Sequence, residues 1–259
     1  MNRKKLQDTF ERCKLHRKEI LHLSQNVQAL HIGGSFSSVE IVDCIYNLLM
    51  KRNDKFILSK GHAAVIQYVL LYSLNIISKK QLYSYCQKNG YLGVHPDYGK
   101  NGINASTGSL GHGLGIACGM AIAKPKSNFY VVLSDGELQE GSVWESALTI
   151  GALNQKNIVV IVDNNDLQSS TRATDTHPNL YPIHKKFKEF GWEVGQCKGH
   201  SSAEIYSNIS SRNKKKPYAL IAKTIKGYPI SFMKNIPMWH YRSPNNEEYH
   251  AALKEIENL

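Results

Sequence analysis

Long apolar runs are missing from this sequence. No stretch approaches twenty consecutive apolar residues, which excludes a hydrophobic membrane-spanning helix. Cysteine is scarce and scattered: Cys13, Cys44, Cys86, Cys118 and Cys197 are odd in number and form no C-x-x-C pair. That excludes a disulfide framework and a thiolate zinc cage, and it points to a reducing cytoplasm. Acidic residues are few beside basic ones, 21 against 32, leaving a formal charge of +11. The densest basic runs, 185–188 and 212–217, lack the repeated interleaved aromatics of a single-strand platform and any nucleic-acid-binding motif. They read as solvated surface, a charge that also suits anionic substrates such as sugar phosphates. No G-x-x-x-x-G-K-[ST] segment occurs, and no strand leads directly into the glycine-rich stretch, which argues against a P-loop or a nicotinamide dehydrogenase. The first thirty residues alternate charges with Leu6, Phe10, Leu15, Ile20 and Leu23, the pattern of a surface helix and not of a signal peptide.

What is present is enough apolar residue, 42% of 259, to build one large domain over 1–259. Helical patterns cover 1–30, 38–50, 62–74, 113–123, 141–153, 183–190 and 202–211. Apolar, strand-like runs lie at 56–58, 130–134, 158–162, 192–197 and 218–223. Residues 90–113 and 168–180 read as loop. Strand and helix alternate with short connections and without an internal repeat. The fold class is therefore α/β, a doubly wound parallel sheet with helices on both faces.

Two strand-like runs carry chemistry at their ends. The first finishes in Asp135-Gly136 and the second in Asp163-Asn164-Asn165. With 141–153 as the crossover between them, their carboxyl ends lie side by side. Hard oxygen ligands of this kind suit Mg²⁺ or Ca²⁺, although Asp-Gly and Asn-Asn are equally ordinary turn signals. The segment 104–115, rich in glycine and opening a helix, admits a close anion or cofactor, or tight helix packing. His31, two residues before Gly33-Gly34, and His62, His95 and His240, each beside Gly, Pro or Trp, lie in loops. Together they make a proton-exchanging polar site plausible. His16, His22, His184, His200 and His250 read as surface residues.

These motifs resemble the transketolase family. Asp135-Gly136-Glu137-Leu138-Gln139-Glu140-Gly141 followed by Asp163-Asn164-Asn165 is similar to its thiamine diphosphate motif. Ser59-Lys60-Gly61-His62, Gly93-Val94-His95-Pro96 and Thr107-Gly108-Ser109-Leu110-Gly111 are similar to further segments, in the family's order. His31 through Ser37 and Ser231 through His240 look like the N-terminal subunit of split, two-chain transketolases. The resemblance runs from about residue 25 to 255. It implies that Asp135, Asn165 and the Leu167 carbonyl hold Mg²⁺, with Ca²⁺ or Mn²⁺ as alternatives, and that the Gly136 N–H meets the diphosphate. Gly108 and Leu110, with Ser109 between them, would meet the aminopyrimidine, and His62 and His240 the diphosphate and thiazolium. His31 and His95 match positions that handle the donor sugar, with His112 as a neighbour. Glu140 matches a buried interface carboxylate that couples paired active sites.

The implied activity is transfer of a two-carbon ketol unit from a ketose or ketose phosphate to an aldehyde. The sequence stops where a full transketolase continues. The expected partner is thus a separate C-terminal subunit, in a heterotetramer of two heterodimers, without nucleic acid or membrane. Two alternatives remain: a thiamine-dependent transferase that uses pyruvate to modify a sugar, and a non-catalytic subunit that keeps the fold. Two positions depart from the family pattern. Ser134 replaces the usual Gly, which fits only if that backbone avoids positive φ. Lys226-Gly227-Tyr228-Pro229 replaces Lys-Gly-Lys-Gly, giving the loop before His240 a different shape.

Overall fold

Alternate side chains along each central strand enter different cores, and this two-sided burial organises the whole chain. The computed structural model describes residues 3–169 and 171–259. The helix expected over 1–30 thus begins outside the described residues, and so does Ser170 of the expected loop 168–180. In chain order the elements are α1 (Arg3–Ser24), α2 (Ile32–Ser37), α3 (Val39–Cys44), β1 (Lys55–Leu58), α4 (Ala64–Ser73), α5 (Lys79–Tyr83) and α6 (Gly113–Ala123). There follow β2 (Phe129–Ser134), α7 (Gly141–Ala152), β3 (Ile158–Asn164), β4 (Leu167–Gln168), β5 (Thr171–Arg172), α8 (Ala173–Thr176) and α9 (Ile183–Glu189). β6 (Glu193–Lys198), α10 (Ser202–Ser211), β7 (Tyr218–Lys223) and α11 (Asn246–Glu257) complete the chain.

Five strands form one parallel sheet in the order β1-β2-β3-β7-β6. Ile57, Val131, Leu133, Val160, Val162 and Ile221 point to a core shared with Leu114 of α6, Val143 of α7 and Phe187 of α9. Their neighbours Leu58, Tyr130, Val132, Val159, Ile161 and Leu220 join Ile20 of α1, Val42 of α3, Leu70 of α4 and Ile205 of α10. Period-two alternation with both faces apolar is what a covered parallel sheet requires. α7 carries the chain from β2 to β3, and α10 carries it from β6 back to β7, in the opposite sense across the sheet. Right-handed crossovers then place the two helices on opposite faces. The expected doubly wound α/β architecture is present.

Some local expectations need correction. The helix expected over 38–50 is α3 and the turn that follows it directly; at its start Ser38 leaves helical geometry, dividing it from α2, and the Ser38 hydroxyl donates to Gly34 O (3.0 Å). Further on, a π-turn over Ile45–Leu49 closes with Met50 N–H donating to Ile45 O (2.8 Å). The loop expected over 168–180 contains the antiparallel pair β4-β5. α11 has no counterpart among the expected helices, although Asn245 and Glu248 form a reciprocal capping box at its start. His16 and His200 are not simple surface residues. His16 is 3% exposed with Nε2 3.2 Å from Asp43 Oδ1, and His200 pairs with Glu40. Among the described residues, no helix is long and apolar enough to cross a membrane.

Candidate active site

The carboxyl ends of four neighbouring strands gather the polar residues. Ser134 of β2 is paired with Asp163 of β3, and Asn164 with Lys223 of β7. Lys60 follows β1, Asp135 follows β2, and Thr224 and Lys226 follow β7. A cavity of about 510 Å³ opens at this end, bounded by Gly34, Lys60, His62, Gly108, Leu110, Ser134, Gly136, Glu140, Asn165, Leu167, Lys226 and His240, among others. Open α/β sheets bind ligands in this crevice.

Asp135 is fully buried. Its Oδ1 accepts from Gly136 N–H (2.9 Å) and its Oδ2 from Asp166 N–H. The Gly136 N–H is thus turned to Asp135, where the resemblance implied a diphosphate contact. Burial, and then the nearby Asp163 carboxylate, push the Asp135 carboxyl up to about 7. Among the described residues no cationic side chain forms a salt bridge with it. Asn165 Oδ1 accepts from Leu167 N–H (3.0 Å), and the Leu167 carbonyl faces the Lys226 ammonium at 3.1 Å. A buried carboxyl group without an ion-paired side chain among the described residues, beside an amide oxygen and a carbonyl, is a donor set that fits a hard divalent ion.

Two buried lysines shape the electrostatics. Lys60 is 1% exposed and forms an ion pair with Asp163; it also donates to Gly34 O (3.1 Å) and Ser38 Oγ (2.9 Å). Asp163 accepts further bonds from Ser37 Oγ (2.6 Å), Asn165 Nδ2 (3.3 Å) and Thr224 Oγ1. Burial works to raise Asp163, but Lys60 and these donors outweigh it and hold the carboxyl below its usual range. Lys226 donates to Leu167 O and lies 2.9 Å from His240 Nδ1. Burial, and then Lys60, lower its ammonium to about 8.

The four loop histidines converge. The His31 ring lies 5.5 Å from His62, 6.4 Å from His95 and 5.2 Å from His240, with His62 and His240 5.6 Å apart. Tyr241 packs on His31 at 4.5 Å. Burial, and then His95 and Lys226, lower His31 to about 4; burial, and then Lys226, lower His240 to about 3. His62 is also driven well down, by burial and then Lys60. These three rings are neutral at pH 7, so each offers one donor and one acceptor. His31 Nδ1 is buried without a hydrogen-bond partner among the described residues.

The glycine segment is held by a residue that sequence reasoning passed over. Glu137 is fully buried and accepts from Gly111 N–H (2.9 Å), Ser134 N–H (3.3 Å) and Ser59 Oγ. Thr107 Oγ1 donates to Leu58 O (2.6 Å), pinning the segment to β1. Gly108 has φ +141°, and a Cβ there would meet the His95 ring at 2.8 Å, so this close approach needs glycine. Ser134 lies outside the positive-φ residues and its Oγ accepts from Glu137 N–H (3.2 Å). It therefore satisfies the condition set for replacing the usual Gly.

Not every expected residue joins the cavity. Ser109 is exposed and lies outside its lining, Asp135, His31 and His95 are likewise not among the lining residues, and Gly108 and Leu110 border it. His112 is exposed, with Nδ1 3.1 Å from Leu110 O. Glu140 reaches the cavity rim but is exposed in this chain, so the burial implied for it requires another chain. Lys60, Asp163, Lys226 and Glu137 were missed as site residues. Lys60, Asp163 and Glu137 stand within two residues of expected site residues, and Lys226 opens the Lys226-Gly227-Tyr228-Pro229 segment; those positions are the signals that could have flagged them.

Comparison with known proteins places the chain in a family. Residues 31–256 match the family model described as "Transketolase, thiamine diphosphate binding domain". Over 264 residues the chain is 36% identical to a protein of Actinobacillus succinogenes named as one subunit of apulose-4-phosphate transketolase, covering 96% of this chain and 95% of that one. A protein named in the same way from Phocaeicola vulgatus is 32% identical, over 93% of this chain and 91% of its own. In structure, the chain superposes on the transketolase from Leishmania mexicana with a TM-score of 0.89 at 22% identity. That match covers 96% of this chain but 41% of the solved one, so the chain spans less than half the length of that transketolase. By its motifs, its fold and these matches, the chain belongs to the transketolase thiamine diphosphate-binding domain family.

Proposed function

We propose that this chain is the cofactor-tail subunit of a two-chain transketolase. It holds Mg²⁺ through Asp135, Asn165 and the Leu167 carbonyl, and through that ion the diphosphate of thiamine diphosphate. The observation that carries this reading is one cavity lined by Asn165, Leu167, His62 and His240, with Asp135 buried between its lining residues Ser134 and Gly136, and with the His31 ring 5.5 Å from His62, 5.2 Å from His240 and 6.4 Å from His95. When bound, thiamine diphosphate supplies the carbanion chemistry by which a two-carbon ketol unit leaves a ketose and joins an aldehyde. The chain's own residues bind and orient. The Lys226 ammonium offsets diphosphate charge, and the segment Gly108–Leu110 receives the aminopyrimidine by its backbone. His31 and His95 exchange hydrogen bonds with sugar hydroxyl and carbonyl groups.

A sugar phosphate is the favoured substrate class, because the relatives are named for apulose-4-phosphate and the chain carries a charge of +11. Those relatives are each named as one part of a transketolase, which supports a separate C-terminal subunit here. So do the exposed apolar residues of α6 and α7, Ile116, Ile122 and Leu148. Burying the exposed Glu140 by pairing two such heterodimers gives the heterotetramer. The free state of Cys13, Cys44, Cys86, Cys118 and Cys197 suits a reducing cytoplasm.

The test is calorimetric titration of thiamine diphosphate, with Mg²⁺, into the chain mixed with its partner subunit. Because losing even an outer partner of a metal ligand costs about 10–100-fold in affinity, Asp135→Ala should weaken cofactor binding on the order of a hundredfold or more. Its melting temperature should not fall, since the variant removes a buried carboxyl. Equal affinity in wild type and variant would remove the metal assignment, and no binding by the wild type would remove the cofactor reading.

A further inference from the structure

We propose that His200, outside the cavity in the turn between β6 and α10, is a positioning residue that fixes Lys226 within it. The idea rests on the reading of Lys226 as a diphosphate contact and adds what holds that lysine in place. Both ring nitrogens of His200 are used: Nδ1 lies 3.0 Å from Glu40 Oε2, and Nε2 accepts the Ile225 N–H at 2.9 Å. Because an amide N–H can only donate, Nε2 must carry no proton. The proton then sits on Nδ1 and is donated to the Glu40 carboxylate, so the two partners together select one neutral tautomer.

The same ring stacks on Tyr228, with centroids 4.0 Å apart and planes 22° from parallel. On the other side Arg17 pairs with Glu40 at 2.7 Å, lies 5.3 Å over the Tyr228 ring and donates through Nε to Tyr228 O (3.3 Å). Arg17, Glu40 and His200 thus grip Ile225 and Tyr228, the residues on either side of Lys226-Gly227. Other bonds brace the segment's backbone: Thr224 N–H to Asn164 O, Gly227 N–H to Gly33 O, and Asn235 N–H to Lys226 O. The Ile225 N–H, one residue before Lys226, is left to His200. Glu40 and Arg17 come from α3 and α1, so this grip ties the cavity's lysine to the helical layer behind it.

The experiment is competitive amine acylation of the full chain, read lysine by lysine by mass spectrometry. Lys226 is 2% exposed and Lys60, held by Asp163, is 1% exposed, so Lys60 is an internal control for the same cavity. His200→Phe keeps a stacking ring but removes both nitrogens. It should accelerate acylation of Lys226 about tenfold, the scale of one lost hydrogen bond, and leave Lys60 unchanged. His200→Gln retains an acceptor at the outer position and should restore the wild-type rate. If His200→Phe does not fold, His200→Asn, which lacks the outer acceptor, takes its place with the same expectation. Acceleration of both lysines together, or of neither, overturns the proposal.

A second measurement separates it from the cofactor reading. With Mg²⁺ and the partner subunit present, His200→Phe should raise the Kd for thiamine diphosphate about tenfold, but should add nothing in a Lys226→Met background. Additive losses in the double variant would show that His200 does not act through Lys226. If the wild type takes up no cofactor while the acylation rates change as expected, the cofactor reading falls and the positioning role stands.

Discussion

Burial sets the protonation of His31 before any neighbour acts, and that makes acid an opponent of this fold. An unfolded histidine titrates near 6.5, whereas His31 is held down to about 4. Between those values the unfolded chain binds the proton and the folded chain refuses it. The stability that His31 contributes is therefore whole above about 6.5 and is lost as the pH falls towards 4. His240 acts in the same direction. Asp135 acts oppositely: its carboxyl, raised to about 7, gains stability for the fold as the pH falls from 7 towards its unfolded value of 3.8. A single melting curve mixes these effects, but a difference between variants isolates one. His31→Gln should lose less stability than wild type between pH 7 and pH 4.5, by about 1–2 kcal/mol once partial exposure is allowed for, read from melting curves at each pH. Parallel pH profiles would show that His31 is not depressed. The four clustered histidines were legible in the sequence from their glycine, proline and tryptophan neighbours. The charged residues among them were not. Nothing in Ser59-Lys60-Gly61 tells that its lysine is buried; that follows only when β3 brings Asp163 to it.

At the scale of elements, that ion pair ties the site to the sheet. Asp163 ends β3, Lys60 follows β1, Thr224 follows β7, and Ser37 and Ser38 close α2, and all meet at one carboxylate. Removing one member of a buried pair strands the other charge, which costs more than the pair itself contributes. Asp163→Ala should therefore destabilise the chain by about 3–5 kcal/mol in urea denaturation. The double variant Lys60→Met/Asp163→Leu, which leaves no buried charge, should recover part of that loss. A double variant as unstable as the single one would show that packing at these positions, and not the stranded lysine, sets the cost. This hub also sets where the helix expected over 38–50 begins. The Ser38 hydroxyl serves Gly34 and Asp163, and the backbone breaks there between α2 and α3. The strands 130–134 and 218–223 and the helix 202–211 were legible because local pattern alone decides them. Interruptions imposed by distant partners leave no local mark.

At the scale of the molecule, α6 is the element whose surroundings are incomplete. Its sequence, GLGIACGMAIA, carries no charged residue on any face. A helix of that composition belongs in an interior, yet Ile116 is 39% and Ile122 51% exposed. α7 packs beside it, with Ser146 Oγ 3.2 Å from where a Gly115 Cβ would stand, and leaves Leu148 54% exposed. A side chain added at Gly119 would meet nothing within 4 Å, so a partner backbone can approach this face closely. The loops that precede the two helices bring Leu110 and Glu140 to the cavity rim. A partner seated on α6 and α7 would therefore stand at the mouth of the site, as the proposed C-terminal subunit must. Ile116→Glu with Leu148→Glu should leave the stability of the isolated chain within about 0.5 kcal/mol, because both residues are surface positions there. The same variant should weaken association with the partner subunit at least ~30-fold, the loss expected when two central apolar contacts are replaced by charge. Sedimentation velocity of the mixture measures it directly. Wild-type assembly by the variant would put the partner on another face of the chain and leave the exposed isoleucines of α6 without a role.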